Sequence, residues 1–561
     1  MVPRAVAAAL VLSLALAGCT PDAASSVSPS PSAPASSVTP VPTTAGPSQT
    51  PVVSGPQTNP RPSGQVADGG ALRLAVSGWP TDWNLADSTD SVAQMAAGWL
   101  SPQLLTVDAA GATHWNPDWL AGSPTLLKSD PTTVAYRLNP AAVWSDGTPL
   151  ALADFVATWQ ACRGSELARC SGEGFDHIAS LTEPSPGTIQ ITYDQAWADW
   201  GTTFASGLVR ADSTGSADAS VWSGLAGHLG QTAGPFRYAT STDTTVTFER
   251  NPLWWGEPPK LDTIELVVVP QDQLAVAYQR GDIDAAWIDQ ANAYAQLQGT
   301  ADIQLRVAPG PTSRWLAFNT VSGPLSQVTV RQALLRGLDR LTIAQADLAG
   351  LIWSQQTLDN PVFRADQAGY ANLTKTTATS LDLAAANSAL DQAGYQLADD
   401  GQRYRDGQPL VLTFLLAQGD GLAENEAFNV RAQLRALGVE LELVYDDPAT
   451  LADDVAAGRY DLTASSLTNP SPLAAAQRLA GPNQWGYDDP VVDSLVARAA
   501  SQFDDTARAA ALAAVALNGW LDAGLLPLYQ VPQVLLTRPT LANYGPDGLA
   551  TTQWPDVGWV E

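Results

Sequence analysis

Alternating and helical spacings of apolar residues divide most of this chain into recognisable elements. Gly70-Ala-Leu-Arg-Leu-Ala-Val76 alternates as a first strand, and Ser77-Gly78-Trp79-Pro80 breaks it. Helical spacing follows over Ser91 to Leu100, then a strand over Val134 to Leu138. Asp154 to Cys162 is a predicted helix with Asp154 near its N-terminal end, where the macrodipole favours a carboxylate. Strand patterns recur at Thr188–Thr192, Thr245–Phe248 and Ile264–Val269. Beyond them, Val330 to Ala349 reads as one helix. Leu410–Ala417, Glu424–Leu437 and Val439–Tyr445 form a strand–helix–strand unit, which in one sheet implies a right-handed crossover and parallel strands. Thr506 to Leu521 is a further amphipathic helix. The pattern is that of an α/β protein with antiparallel additions, in more than one lobe and without solenoid repeats.

The first 68 residues break this pattern. Arg4 precedes an apolar run, Ala5 to Leu16, that is too short to span a bilayer, and Leu16-Ala17-Gly18-Cys19 closes it. This arrangement resembles a bacterial lipobox, which implies lipidation of Cys19 and an extracytoplasmic, membrane-anchored mature chain. Residues 20–68 are Pro, Ser, Thr, Ala and Gly with almost no large apolar side chains. Such a segment cannot offset its ordering entropy, so a disordered tether is expected, with a reach on the order of 40 to 120 Å.

A formal net charge of −28, with 28 Lys and Arg against 56 Asp and Glu, argues against nucleic acid and against docking on anionic lipid. Apart from Cys19, the cysteines are Cys162 and Cys170. In an oxidising compartment they read as a local disulfide stabilising by about 2.5 kcal/mol, with two free thiols as the alternative. The three histidines are scattered, and the sequence holds no metal-ligand spacing, nucleophile elbow, Walker loop or dinucleotide fingerprint. Asp282 and Asp284 look like turn and strand-entry residues, and the expectation is a protein without enzymatic activity, cofactor or metal. Trp, at 19, outnumbers both Tyr at 13 and Phe at 10, which suits packing or stacking on a ligand.

Several stretches then share one resemblance. Tyr136-Arg-Leu-Asn-Pro-Ala-Ala-Val-Trp-Ser-Asp-Gly-Thr-Pro-Leu150 with Ala153-Asp154-Phe155 is similar to the signature of the family 5 extracytoplasmic solute-binding proteins, receptors of peptide and nickel ABC importers. In order follow Gly234-Pro-Phe-Arg-Tyr238, Glu249-Arg-Asn-Pro-Leu-Trp-Trp-Gly256, Gln279-Arg-Gly-Asp-Ile-Asp284, Phe318-Asn319, Val330-Arg-Gln-Ala333, Leu338-Asp-Arg340, Gly458-Arg-Tyr-Asp461 and Leu526-Pro-Leu-Tyr529. Trp159-Gln-Ala-Cys162 and Asp366-Gln-Ala-Gly-Tyr370 resemble an actinobacterial lipoprotein branch.

The resemblance implies a type II (cluster C) periplasmic-binding-protein clamp of two α/β lobes with a subdomain inserted in the first. The implied boundaries are 1–19 for the signal peptide and 20–68 for the tether. The first lobe takes 69–98, 231–314 and the return 533–561, with its insert at 99–230, and the second lobe takes 315–532. It also implies a small-molecule or peptide ligand, partner permease and ATPase subunits, and a monomer. The alternative on the same clamp is a non-transport lipoprotein that senses or regulates envelope assembly. Peptide-binding relatives hold the ligand ammonium with an aspartate after the strand beginning near Tyr460. Here that stretch, Ala464-Ser-Ser-Leu-Thr-Asn-Pro-Ser-Pro472, carries no acid, which favours a neutral, blocked or sugar-bearing ligand. Cleft candidates are Trp79 and Trp83 after the first strand, Trp353 in the second lobe, and Ser466, Thr468, Asn469, Trp485 and Tyr487.

Overall fold

A computed structural model describes residues 55–561, apart from 81–82, 84–90, 110, 164–173, 206, 215–231, 289–290, 298–299, 301, 469–470, 482 and 484. The leader with Cys19, most of the expected tether, Cys170 and Asn469 therefore lie outside the described residues. Cys162 is disulfide-bonded.

Ten strands make one sheet that runs through both lobes. From the second lobe inward their order is Glu440–Asp446, Val411–Ala417, Leu462–Thr468 and Gln304–Phe318. It continues through Leu525–Thr537, Ala285–Trp287, Ala71–Val76, Thr263–Val268, Thr245–Arg250 and Phe236–Ser241. The crossover expected from periodicity is present: Val411–Ala417 pairs parallel with Glu440–Asp446, and helix Gly421–Arg435 connects them. In the first lobe, Ala71–Val76 lies parallel to both Thr263–Val268 and Ala285–Trp287.

Two strands are far longer than the rest. Gln304–Phe318 and Leu525–Thr537 pair antiparallel along most of their lengths, with irregular register between Pro309 and Ser313. They join the two halves of the sheet, and the irregularity falls where the halves meet. A separate four-stranded sheet, Thr125–Ser129, Thr132–Arg137, Thr188–Tyr193 and Ile178–Ser185 in that order, forms the inserted subdomain.

The expected single helix over Val330–Ala349 is two, Val328–Gly337 and Arg340–Asp347. Leu338 turns extended, and the Asp339 carboxylate accepts from the backbone N–H groups of Leu341 and Thr342. An N-cap inside the apolar repeat restarts the helix in a new direction.

Residues 55–68, within the stretch whose composition reads as tether, are seated on the body. Gln57 N donates to the Pro546 carbonyl at 2.7 Å, the Arg306 guanidinium donates to Thr58 O at 3.3 Å, and Val66 is buried. Backbone pairing with the chain's own last strands supplies what side-chain composition lacks.

The tryptophan surplus is mainly packing. Trp99 meets Trp554 edge-on at 4.5 Å, Trp115 stacks on Trp200 at 5.5 Å, and Trp119 packs against both Trp254 and Trp255. Trp254 Nε1 donates to Glu257 O, which closes the turn at Gly256.

Candidate functional site

The residues shared with the resembled family mostly build the frame. Asp154, on helix Leu152–Cys162, is buried; its carboxylate accepts from Trp144 Nε1 at 3.2 Å, Ala151 N at 3.0 Å and Ala211 N at 2.9 Å. It ties the Trp-Ser-Asp-Gly turn to its helix and does more than complement a dipole. Asn319, at the end of a long strand, donates to Tyr460 O at 2.8 Å and Gly458 O at 3.0 Å, stapling that strand to the Gly-Arg-Tyr turn. Asp284 binds Arg73 at 3.0 Å, in keeping with a strand-entry role.

Where the lobes meet lies a cavity of about 790 Å³. The first lobe contributes Val76 and Ser77 after its first strand, Val92 and Met95 of helix Ser91–Leu100, and Tyr544, Asp547 and Trp554 of the C-terminal return. The second lobe contributes Asp347 and Leu351, and Ser466 and Thr468 from its inner strand. The long strands supply Pro311, Thr312, Tyr529 and Gln533 between them. Every layer of the sheet's centre thus reaches one space.

The second-lobe wall rests on a buried charge network. Arg314 Nε and Nη2 donate to the two Glu426 oxygens at 2.7 and 2.6 Å, and Arg314 Nη1 donates to Ser466 Oγ at 3.1 Å. The Glu426 side chain is fully buried, and burial pushes its carboxyl up against the pull of Arg314. Asp347 stands beside this pair, with Asn425 donating to its Oδ1 at 2.7 Å. Burial, then the neighbouring Glu426, raise its carboxyl from the usual range to about 7. Arg314 is paired with both Glu426 oxygens, and among the described residues its charge offsets the rise at Asp347 only in part. Across the cavity, burial raises Asp547 to about 6 while Thr552 donates to it.

Of the residues singled out from sequence, Ser466 and Thr468 line the cavity. Thr468 Oγ1 also bonds Thr312 Oγ1 at 2.7 Å across the strands. Trp79 and Trp83 meet each other at 6.3 Å away from the cavity lining, with Trp83 in the first-lobe core and Trp79 Nε1 donating to Asp243 O. Trp353 is buried behind the wall, 6.4 Å from Tyr529. Trp485 and Tyr487 are core residues of the second lobe, where Tyr460 donates to Trp485 O at 2.8 Å.

The sequence reading passed over Asp347, Asp547, Gln271, Gln533, Trp287 and Tyr544, all on the cavity. Asp347 carried a signal: it is the last residue of helix Arg340–Asp347, the end where a carboxylate is disfavoured. A helix read as continuing to Ala349 hid it. Among the described residues no group of three or more potential ligands could hold a metal, and no helix is long and apolar enough to cross a membrane.

Comparison with known proteins agrees with this architecture. The family model for bacterial extracellular solute-binding proteins, family 5 Middle, matches residues 117–487. The oligopeptide-binding protein OppA of Mycobacterium tuberculosis is 29% identical over 515 residues, covering 88% of this chain and 85% of that protein. The periplasmic EDTA-binding protein EppA superposes with a TM-score of 0.78 at 24% identity, over 91% of this chain and 100% of its own. AppA of Bacillus subtilis, solved with a nonapeptide, gives 0.69 at 18% identity, over 88% and 100%. With its two-lobed clamp, its inserted subdomain and a family match over well more than half its length, this chain belongs to family 5 of the bacterial extracellular solute-binding proteins.

Proposed function

We propose that this chain captures a peptide or peptide-like solute in the cavity between its lobes and hands it to the permease of an ABC importer. In this reading the chain is held at the outer face of the membrane by lipid on Cys19 and performs no chemistry on its cargo. The observation that carries the reading is a cavity lined from both lobes and from the long strands that join them. Its volume lies within the ~300–1,000 Å³ typical of organic-ligand sites and is far too large for a bare ion. The 29% identity to a protein named for oligopeptide binding points the same way. An EDTA-like polyanion fits poorly, because no Lys, Arg or His lines the cavity among the described residues. Ligand held between lobes favours the closed clamp by its differential affinity, and the closed form is what a permease would read.

The test is thermal unfolding of the full chain with a synthetic tripeptide pool, with Thr468→Trp as the blocked form. Ligand that binds only the folded state at 100 times its Kd adds about 2.7 kcal/mol, which appears as a rise in Tm. The wild type is expected to show that rise and Thr468→Trp to lose it. Equal rises in both would place binding elsewhere.

A further inference from the structure

The C-terminal return that walls the first-lobe side of the cavity is held by the chain's own amino-terminal stretch. Gln57 N donates to Pro546 O at 2.7 Å, Tyr544 N to Thr58 O at 3.2 Å and Asn543 N to Asn59 O at 3.3 Å. Two asparagines clip this pairing of backbones. Asn59 Nδ2 donates to Leu541 O at 3.0 Å. Asn543 Oδ1 accepts from Arg61 N at 2.7 Å, and its Nδ2 donates to Arg61 O at 3.0 Å. Both stand in the left-handed region, at φ 52° and 59°, which asparagine tolerates and proline cannot adopt.

Arg306 joins the pairing to the sheet. It is buried on the long strand Gln304–Phe318, and its guanidinium donates to Tyr544 O, to Leu541 O at 2.6 Å and to Thr58 O at 3.3 Å. Among the described residues no carboxylate pairs with it, and burial pulls it down to about 10. A buried cation is tolerated where its donors are matched, and here carbonyls of the amino-terminal stretch and of the return match them together.

The same return lines the cavity through Tyr544, Gly545 and Asp547. The Tyr544 hydroxyl accepts from Trp287 Nε1, of another lining residue, at 3.1 Å. Gly545 has no room on its far side: a Cβ there would overlap the Gln57 carbonyl and come within 3.2 Å of Arg306 Cδ. A Cβ on Gly548 would lie 4.0 Å from Pro56 Cγ and 3.9 Å from the Asp366 carboxylate of the second lobe. One short segment, Tyr544–Gly548, therefore meets the amino-terminal stretch, the cavity and the second lobe.

We propose that Gln57–Arg61 is a strap that holds Tyr544–Asp547 in the arrangement that receives cargo, with Arg306 and Asn59 as positioning residues. The proposal rests on the capture reading above and adds to its site a support outside the cavity. Neither the strap nor Arg306 lines the cavity, so their effect on binding passes through the return. The coupling is reciprocal: a seated strap tightens cargo binding, and bound cargo holds the strap down. With the strap released, the wall is ready only part of the time, and apparent affinity falls by that fraction.

The experiment uses the full chain in detergent, with a pool of synthetic tripeptides as probe. Asn59→Pro cannot keep the left-handed backbone and releases the strap. Asn59→Gly keeps that backbone and gives up only the side-chain bond to Leu541. Retention of the pool in native mass spectrometry is expected to be about tenfold weaker in Asn59→Pro than in the wild type, and within about twofold of wild type in Asn59→Gly. Hydrogen exchange at the Gln57 amide is expected to slow when the pool is added to the wild type, a response that a merely structural strap would not give. Equal retention by wild type and Asn59→Pro, or Gln57 exchange indifferent to a pool that binds, would overturn the strap's role and leave the capture reading intact. Retention by none of the three chains would overturn the capture reading, and this proposal with it. Should Asn59→Pro fail to fold, Gln57 exchange in the wild type decides alone.

Discussion

A carboxylate at the C-terminal end of a helix, half-buried and with its burial only partly offset by a cation, is held against its chemistry, and Asp347 is such a group. Its native pKa lies above that of the unfolded chain, so between about pH 4 and pH 7 the folded state keeps a proton that the unfolded state has released. Stability contributed by this group is therefore complete below pH 4 and declines as pH rises through that window. Asp347→Asn is expected to match the wild type near pH 4 and to exceed it by ~2 kcal/mol at pH 8, measured by urea unfolding of the ligand-free chain. Equal stability at both pH values would mean that the carboxyl is unstrained. Sequence reading missed it because a single apolar repeat over Val330–Ala349 gave no reason to place a helix end at residue 347. Ser466 and Thr468, taken from the stretch that the family resemblance singles out after Tyr460, do line the cavity, since that stretch is the inner strand of the second lobe.

At the scale of elements, the two long strands and the helix Gly421–Arg435 carry the account. Arg314 lies on one strand and Glu426 on the helix, so their buried pair sets how the strand seats against the second lobe. Removing one partner leaves a buried charge alone: Arg314→Leu is expected to lose ~3–5 kcal/mol, whereas replacing both partners by apolar residues should cost much less. Denaturant midpoints of the single and double variants measure the difference, and additive losses would contradict it.

The amino-terminal stretch offers a second test on elements. Pro, Ser and Thr composition made residues 20–68 read as tether, yet Gln57 and Val66 are seated on the body. Composition reports what a segment can bury with its own side chains and is silent about backbone bonds to Pro546 and Trp559. A chain starting at Gly55 should melt about 1–2 °C above one starting at Gly69, which corresponds to about 1–2 kcal/mol in a protein of this size. Equal melting would mean that these residues add nothing.

For the whole molecule, the crossover at Val411–Asp446 and the ordered motifs were enough to read the fold, because parallel pairing and turn chemistry are local in sequence. The cavity was not legible in the same way. Its walls come from near residues 76, 347, 466, 529 and 547, and only a two-lobed fold brings these together. Aromatic candidates such as Trp83 and Trp485 fell to the core for a general reason: a large apolar ring gains most where it is fully enclosed.

If cargo sits in the space between the lobes, filling that space must expel it. Native mass spectrometry of the full chain purified without denaturation, as wild type and as Thr468→Trp, decides this. A bound organic adduct is expected on the wild type and not on the blocked variant. An adduct of the same mass retained by Thr468→Trp, with the chain folded, would contradict it.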